Sequence, residues 1–330
     1  MTATFTPAAP AGTRARAYAR GRRLRDRIGD GLLYALCLSA SLLALVVLAL
    51  IAYKVFNGAR LSMSRFGFDF IGHTTWKPNV DVFGAGSVIY GTVASSFMAL
   101  LLATPLGIAI GLYLSMLASG RVRATIGPLV EMLAAIPSVI LGFWGILILA
   151  PFIKDHVEPW LHRTLGFIPL FGPPQTTGSS IFTAGLILTI MILPIIASLS
   201  RDLFLTVPQD VQDGATALGA TRWEVVRGVV IPSTASGVAA AAFLGLGRAL
   251  GEAIAVAQVI GAGSEIKASL FNTGDTLAAR IALQFPGAFS KLHTASLFYL
   301  AAILLVIGLV FNLFAQWIGR RFDYARLAAR

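Results

Sequence analysis

The sequence predicts an all-α membrane protein, a polytopic bundle of about six transmembrane helices with one polar segment at one end. Three observations predict it. Hydrophobic residues fill 56% of the 330 positions and charged residues only 12%, and the mean hydropathy is +0.79, beyond what a soluble domain of this size carries. Six apolar runs recur along the chain, each long enough to cross a hydrocarbon core of ~30 Å as a helix. The net charge of +11 sits mostly at the two ends: seven Arg against one Asp in residues 1–27, and four Arg against one Asp in residues 320–330. Short basic segments beside apolar runs are held at the anionic face of a bilayer, so the charge argues for lipid and against a nucleic-acid partner.

Residues 1–30 form the basic N-terminal tail. Arg16, Arg20, Arg23 and Arg27 recur at helical spacing with Leu24 and Ile28 off the stripe, which fits a helix lying in the membrane interface and equally a solvated tail. The membrane-spanning body is expected over residues 31–319, and a second basic tail over residues 320–330. The first span, near 32–53, is too long for a usual signal core and is followed by no small-x-small cleavage pattern, so it is read as retained. Cys37 lies within it, and a single cysteine allows neither an intrachain disulfide nor a cysteine metal cluster. Further spans are expected near 88–117, 128–152, 181–198, 233–260 and 295–318, with Pro105, Pro137 and Pro194 interrupting the second, third and fourth. Gly107 with Gly111, and Gly247 with Gly251, are small-xxx-small pairs that let helices approach closely; a transport path and ordinary packing use them alike. Stretches 66–86 and 166–180 are rich in Gly, Pro, Thr and aromatic residues and read as ordered loops. His73, His156, His162 and His293 fall in or beside such loops without metal-ligand spacing, so no metal site is expected. If the N-terminus is cytoplasmic, the inner segments hold 16 Lys and Arg and the outer ones 9, which sets both termini inside.

Residues 207–232 are polar where the rest is apolar. Thr206-Val-Pro-Gln209 has the pattern of a capping box with Pro208 in the first turn. A helix begun there would close at Gly219, which can take the left-handed conformation. Thr221-Arg-Trp-Glu224 repeats the box and starts a second helix, expected to end at Pro232 where the fifth span begins. Two short helices across the inner face form a dock for a partner. A DNA-reading element is disfavoured by the membrane tether and by Asp210, Asp213 and Glu224 balancing Arg222 and Arg227.

These residues resemble a known pattern. Asp213-Gly-Ala-x-x-x-Gly219, nine further residues, then Val229-x-Ile231-Pro232 is similar to the coupling loop of ABC importer permeases, which runs Glu-Ala-Ala, Gly, Ile-x-Leu-Pro; this chain has Asp for Glu, Gly214 for Ala, Val229 for Ile and Ile231 for Leu. Gly-Thr-Val-Ala-Ser-Ser from Gly91, Glu131-Met-Leu-Ala-Ala-Ile-Pro-Ser138-Val, and Gly245-Leu-Gly-Arg-Ala-Leu-Gly-Glu252 resemble the phosphate-specific permeases of the Pst system. The regions around Trp76, Gly261 and Leu292 look more like the PstC type than the PstA type. The resemblance covers residues 66–318 and implies an ABC type I importer permease fold. It implies a heterodimer with a PstA-like permease, a PstB-like ATPase dimer beneath, and a PstS-like phosphate-binding protein above. It also implies that the segment 200–232, through Asp210, Asp213, Gly214, Ala215, Gly219 and Glu224, couples the ATPase to the spans. The sequence has no Gly-Lys pair and so no phosphate loop of its own; no cofactor is expected on this chain, with ATP and Mg on the partner.

Arg248 and Glu252 are four residues apart in the fifth span, so on one helix they share a face and can pair. Arg248 suits an oxyanion because its planar fork offers two hydrogen bonds, with Glu252 tempering its field. A structural ion pair fixing register is the other reading. Glu131, near the inner end of the third span, is expected in a helix's first turns, where the dipole favours an acid, and reads as structural or gating. An intramembrane enzyme would need a nucleophile, carboxylate pair or metal set that the spans do not offer. A gradient-driven carrier would also use intramembrane charge but has no need of a dock, and the charge alone fits phosphate, sulfate or molybdate equally.

Overall fold

In the computed structural model, residues 12–321 are described, with side chains over residues 29–318. Secondary structure among them is helical apart from one isolated bridge, Lys77 to Val82. Contacts divide the chain after Lys54. The unit ending there is apolar helix, the first part of α1 (Gly12–Phe66), so the Arg16–Arg27 stretch is helical backbone running on into the first span. The tail residues 1–11 and 322–330 lie outside the described residues.

The unit from Val55 onward holds α2 (Gly86–Leu117), α3 (Gly120–Leu133), α4 (Ser138–Leu165), α5 (Ile181–Leu205), α6 (Gln209–Ala217), α7 (Arg222–Leu250), α8 (Ile254–Val259), α9 (Leu277–Gln284) and α10 (Lys291–Arg321). Six helices among the described residues are long and apolar enough to cross a membrane. Helix α5 is the centre: Ile187, Leu188, Ile192 and Ile196 are fully buried against Ala99 and Ala103 of α2 and Ala249 of α7. Gly107 and Gly111 make that approach possible, because a Cβ at Gly107 would lie 2.8 Å from Ile196 and one at Gly111 2.9 Å from the Arg201 backbone. The end of α1 packs on α10 in the same way, with Gly58 facing the Phe298 ring and Ser62 Oγ sharing a 3.1 Å hydrogen bond with Ser296 Oγ.

Several expected boundaries move, each for a local reason. The third span begins at Ser138, not 128: residues 134–137 break the helix, and Pro128 belongs to α3. It then runs to Leu165, so His156 and His162 lie on helix α4, while His293 is buried in α10; loop placement holds only for His73. Pro105 and Pro194 sit inside unbroken α2 and α5 and do not interrupt them. Three further prolines, Pro151, Pro159 and Pro232, each follow a π turn with one residue between: Gly145–Leu149, Ile153–Val157 and Val226–Val230. A proline lacks the N–H for the preceding turn and crowds its i−4 carbonyl; widening that turn relieves both. Pro232 therefore does not end the second docking helix. That helix and the fifth span are one rod, Arg222–Leu250.

The fifth span also ends sooner than residue 260. It stops at Leu250, residues 251–253 break it, and α8 follows. The chain then doubles back through residues 260–276, where Gly261 (φ 85°) and Ala262 (φ 56°) turn it and Gly274 N donates to Ile260 O at 2.9 Å. The end of α8 and this re-entrant segment accept free N–H groups at the start of α5. Ser180 N bonds Val259 O, Ile181 N bonds Asn272 O, and Phe182 N bonds Leu270 O, all within 3.1 Å, while Thr183 N finds the Ser180 hydroxyl.

Candidate functional site

The dock is built from α6, the turn after it and the first turn of α7. Phe204, Val207, Val225 and Val230 bury its underside against Ile108, Leu112 and Met116 of α2. The second capping box forms as the sequence predicts: Glu224 N donates to Thr221 Oγ1, and Glu224 Oε2 accepts from Thr221 N at 2.7 Å. The first does not form. Helix α6 starts at Gln209 with Pro208 immediately before it, and the Thr206 hydroxyl turns back to Leu203 O at 2.7 Å. A hydroxyl that has an i−3 carbonyl within reach satisfies itself there rather than capping forward.

Gly219 (φ 90°) closes α6 as expected. Its N–H bonds Thr216 O at 2.9 Å and Ala220 N bonds Ala215 O at 3.1 Å, the paired bonds of a Schellman ending. This ending leaves Leu218 91% exposed, and Trp223, in the first turn of α7, is 64% exposed. Neither residue stood out in the sequence, although an apolar residue just before a closing glycine is a readable signal. Asp210, Asp213, Gly214 and Gly219 are exposed on the same segment, and Ala215 is half-buried in the underside. Glu224 is exposed on the dock as well, and its carboxylate is engaged by Thr221, which holds the turn. A Cβ at Gly214 would meet nothing within 4 Å, so the chain's departure from alanine there is not imposed by space.

Arg248 and Glu252 do come together, Nη2 to Oε2 at 3.7 Å. They do not share a helix. Arg248 is in the last turn of α7, half exposed (50%), whereas Glu252 lies in the break, 5% exposed, where its Oε1 accepts the Ala255 N–H and so ties down the start of α8. Arg248 lines an open groove of about 680 Å³ between α7 and α10. Among the described residues, a Cβ at Gly247 would meet nothing within 4 Å and one at Gly251 only Gly247 O at 3.6 Å, so the expected close approach is seen at Gly107 and Gly111 and not at this pair.

Glu131 is in the last turn of α3, the opposite end of a helix from that expected, because the break at residues 134–137 ends α3 just after it. The helix dipole does not favour it there. It is held by Arg201 of α5, Nη2 to Oε1 at 2.8 Å, and Arg201 also bonds Asp202 at 2.8 Å. That geometry joins α3 to α5. Arg123 adds to the same corner by donating to the Leu114 and Ser115 carbonyls at the end of α2.

A buried pair escaped the sequence reading altogether. Asp275 in the re-entrant segment and Arg280 in α9 pair through Oδ2 and Nε, with side chains 3% and 6% exposed. Asp275 Oδ1 also accepts Thr276 N at 2.7 Å, and the Arg280 guanidinium lies 5.3 Å from the Trp76 ring. Burial pushes the Asp275 carboxyl up, and the charge of Arg280 opposes that push. Trp76 Nε1 continues the network to Gln284 Oε1 at 2.8 Å, which also contacts His293. Gly91 lets the segment rest on α2: a Cβ there would lie 2.1 Å from Asp275 O. Among the described residues no group of three His, Cys, Asp or Glu is placed to hold a metal ion.

Comparison with known proteins agrees with this architecture. Residues 103–324 match the family described as binding-protein-dependent transport system inner membrane component. The chain is similar to the phosphate transport system permease protein PstC of Mesorhizobium japonicum, 42% identical over 304 residues, covering 91% of this chain and 92% of that one. It is similar also to the protein of that name from Xylella fastidiosa, 39% identical over 292 residues and covering 87% and 89%. Among solved structures, a bacterial alginate ABC transporter in complex with a periplasmic protein bound to alginate pentasaccharide aligns with a TM-score of 0.58 at 20% identity, covering 91% of this chain and 97% of that chain. An inward-facing MetNI methionine ABC transporter aligns at 0.53 and 18% identity, covering 71% and 94%. At that identity the solved structures speak to the fold, which is that of an ABC importer permease.

Proposed function

From the premise that this chain belongs to the binding-protein-dependent transport system inner membrane components, and within them to the PstC-type permeases, we propose the following mechanism. The chain is a multi-pass transport component, and its relatives' shared name supports inorganic phosphate as the cargo, delivered by a periplasmic binding protein. It works beside a PstA-like permease, above a PstB-like ATPase dimer that binds the ATP and Mg, and below a PstS-like phosphate-binding protein. The excess of basic residues on the segments assigned to the inner side supports placing both termini at the cytoplasmic face.

One observation carries the mechanism: the last part of the exposed dock, with Trp223, and Arg248 belong to one helical rod. From Arg222 to Arg248, α7 runs unbroken for about 39 Å. Closure of the ATPase pair on Leu218, Trp223, Asp210 and Asp213 therefore moves the start of the helix that carries the cation. Arg248 meets the phosphate oxygens in the groove. Glu252, capping α8 across the break, limits how tightly they are held, which an ion path needs for release. The test is binding-protein-stimulated ATP hydrolysis and labelled phosphate uptake in proteoliposomes, over a panel of oxyanions, with Arg248→Ala beside the parent. Phosphate stimulation with uptake lost in Arg248→Ala at equal complex recovery supports the mechanism. Stimulation by sulfate or molybdate without phosphate, or uptake driven by an ion gradient without ATP, overturns the function. Normal uptake by Arg248→Ala overturns the role of the residue.

A further inference from the structure

The groove beside Arg248 continues past it. Helices α7 and α10 run antiparallel, fixed in register by the edge-to-face contact of Phe243 with Phe314 at 6.0 Å. The α10 wall presents Gly308, Asn312 and Gln316, one residue per turn on a single face. Counting at 1.5 Å per residue from the Phe243–Phe314 level, Asn312 lies about 5 Å and Gln316 about 10 Å along the axis from Arg248, both toward the docking end of α7. Gln316 Nε2 donates to Asn312 Oδ1 at 3.2 Å. That bond leaves the two N–H groups of Asn312 without a partner among the described residues, in a groove whose other lining is mainly apolar. Both side chains are exposed on this open wall, and amides on an apolar face are costly once a neighbouring helix or lipid covers them unless something polar uses them.

We infer that Asn312 and Gln316 extend the anion path inward from Arg248, as neutral donor positions that a hydrogen phosphate ion reaches in turn after it leaves the guanidinium. The inference rests on the proposed role of Arg248. Spacing of about one helical turn matches the reach of a phosphate handed from one hydrogen-bonding group to the next. An uncharged amide suits the inner part of such a path, because it compensates the ion for lost water without holding it as a second cation would. A second permease seated over the open side of the groove closes the path.

The test is labelled phosphate uptake by proteoliposomes carrying the assembled importer, with stimulated ATP hydrolysis and complex recovery measured in parallel. The variants are Arg248→Ala, Asn312→Leu, Asn312→Ala, Asn312→Gln and Gln316→Leu. The expected result is uptake lowered about tenfold or more in Asn312→Leu and Asn312→Ala, the factor one hydrogen bond to an ion carries. Gln316→Leu is lowered less, Asn312→Gln is retained, and ATP hydrolysis and recovery are unchanged in all four, which a merely structural role would not give. Full uptake in Asn312→Leu and Asn312→Ala while Arg248→Ala has lost it overturns this inference alone. Full uptake in all of them overturns the role of Arg248 as well.

Discussion

Removing Arg280 alone is the sharpest perturbation of this fold. Arg280→Met keeps the length of the side chain's apolar stem and strands the Asp275 carboxylate, which is 3% exposed and keeps only the Thr276 N–H as a partner. Breaking a buried pair from one side costs about 3–5 kcal/mol, because the remaining charge stays desolvated. At roughly 2–4 °C per kcal/mol for a chain of this size, unfolding should fall by about 10 °C. The assay is thermal unfolding of the detergent-solubilised importer, followed by tryptophan fluorescence, since Trp76 reports directly on Arg280. Two comparisons sharpen it. Asp275→Asn with Arg280→Met removes the stranded charge and should recover most of the loss, a non-additivity expected of contacting partners. The loss should also depend on pH with a definite sign. Burial already raises the Asp275 carboxyl, and deleting Arg280 removes what opposes that rise. A carboxyl whose folded pKa lies above its unfolded one stabilises fully below the unfolded pKa and loses that stabilisation as pH rises through the folded one. The single variant's deficit should therefore be smallest in acid and widen as pH rises. A shift of a degree or two, or a deficit independent of pH, would refute the reasoning.

Other outcomes follow from the same geometry. Leu218→Asp and Trp223→Ala should each weaken co-purification of the ATPase by about tenfold or more while leaving unfolding unchanged, since exposed apolar anchors of this kind are worth ~2 kcal/mol at interfaces. Two glycines five residues apart should answer oppositely to alanine: Gly214→Ala has open space and should stabilise by about 0.5–1 kcal/mol, whereas Gly219→Ala must take φ 90° and should destabilise by about 1 kcal/mol, both read by thermal unfolding. Glu131→Gln loses one half-exposed partner of Arg201, which retains Asp202, so it should cost under ~1 kcal/mol and leave phosphate uptake near the parent rate.

What was legible in the sequence depended on how far apart the interacting groups lie along the chain. The Thr221–Glu224 box, the Gly219 ending and the six spans each rest on partners within one or two turns, and each appears in the structure. The Thr206 box failed on an equally local competitor, the Leu203 carbonyl one turn back, which the pattern does not weigh. Glu131 needed knowledge of where α3 stops, and its partner Arg201 is seventy residues away on α5; hydropathy shows neither. Asp275 and Arg280 are near neighbours, but a segment that doubles back gives no period against which a charge stands out, and their burial is supplied by Gly91 and Trp76 from far earlier in the chain. Arg248 and Glu252 fall between these cases. Their spacing foretold the meeting of the two charges but not the break at residues 251–253 that separates their helices, because glycine inside an apolar run reads equally as packing or as an end. That break changes what the pair can do. On one helix the two charges would keep a fixed spacing, whereas a glutamate that caps α8 while facing an arginine at the end of α7 makes their distance depend on the angle between two elements, one of which is the rod that starts at the dock.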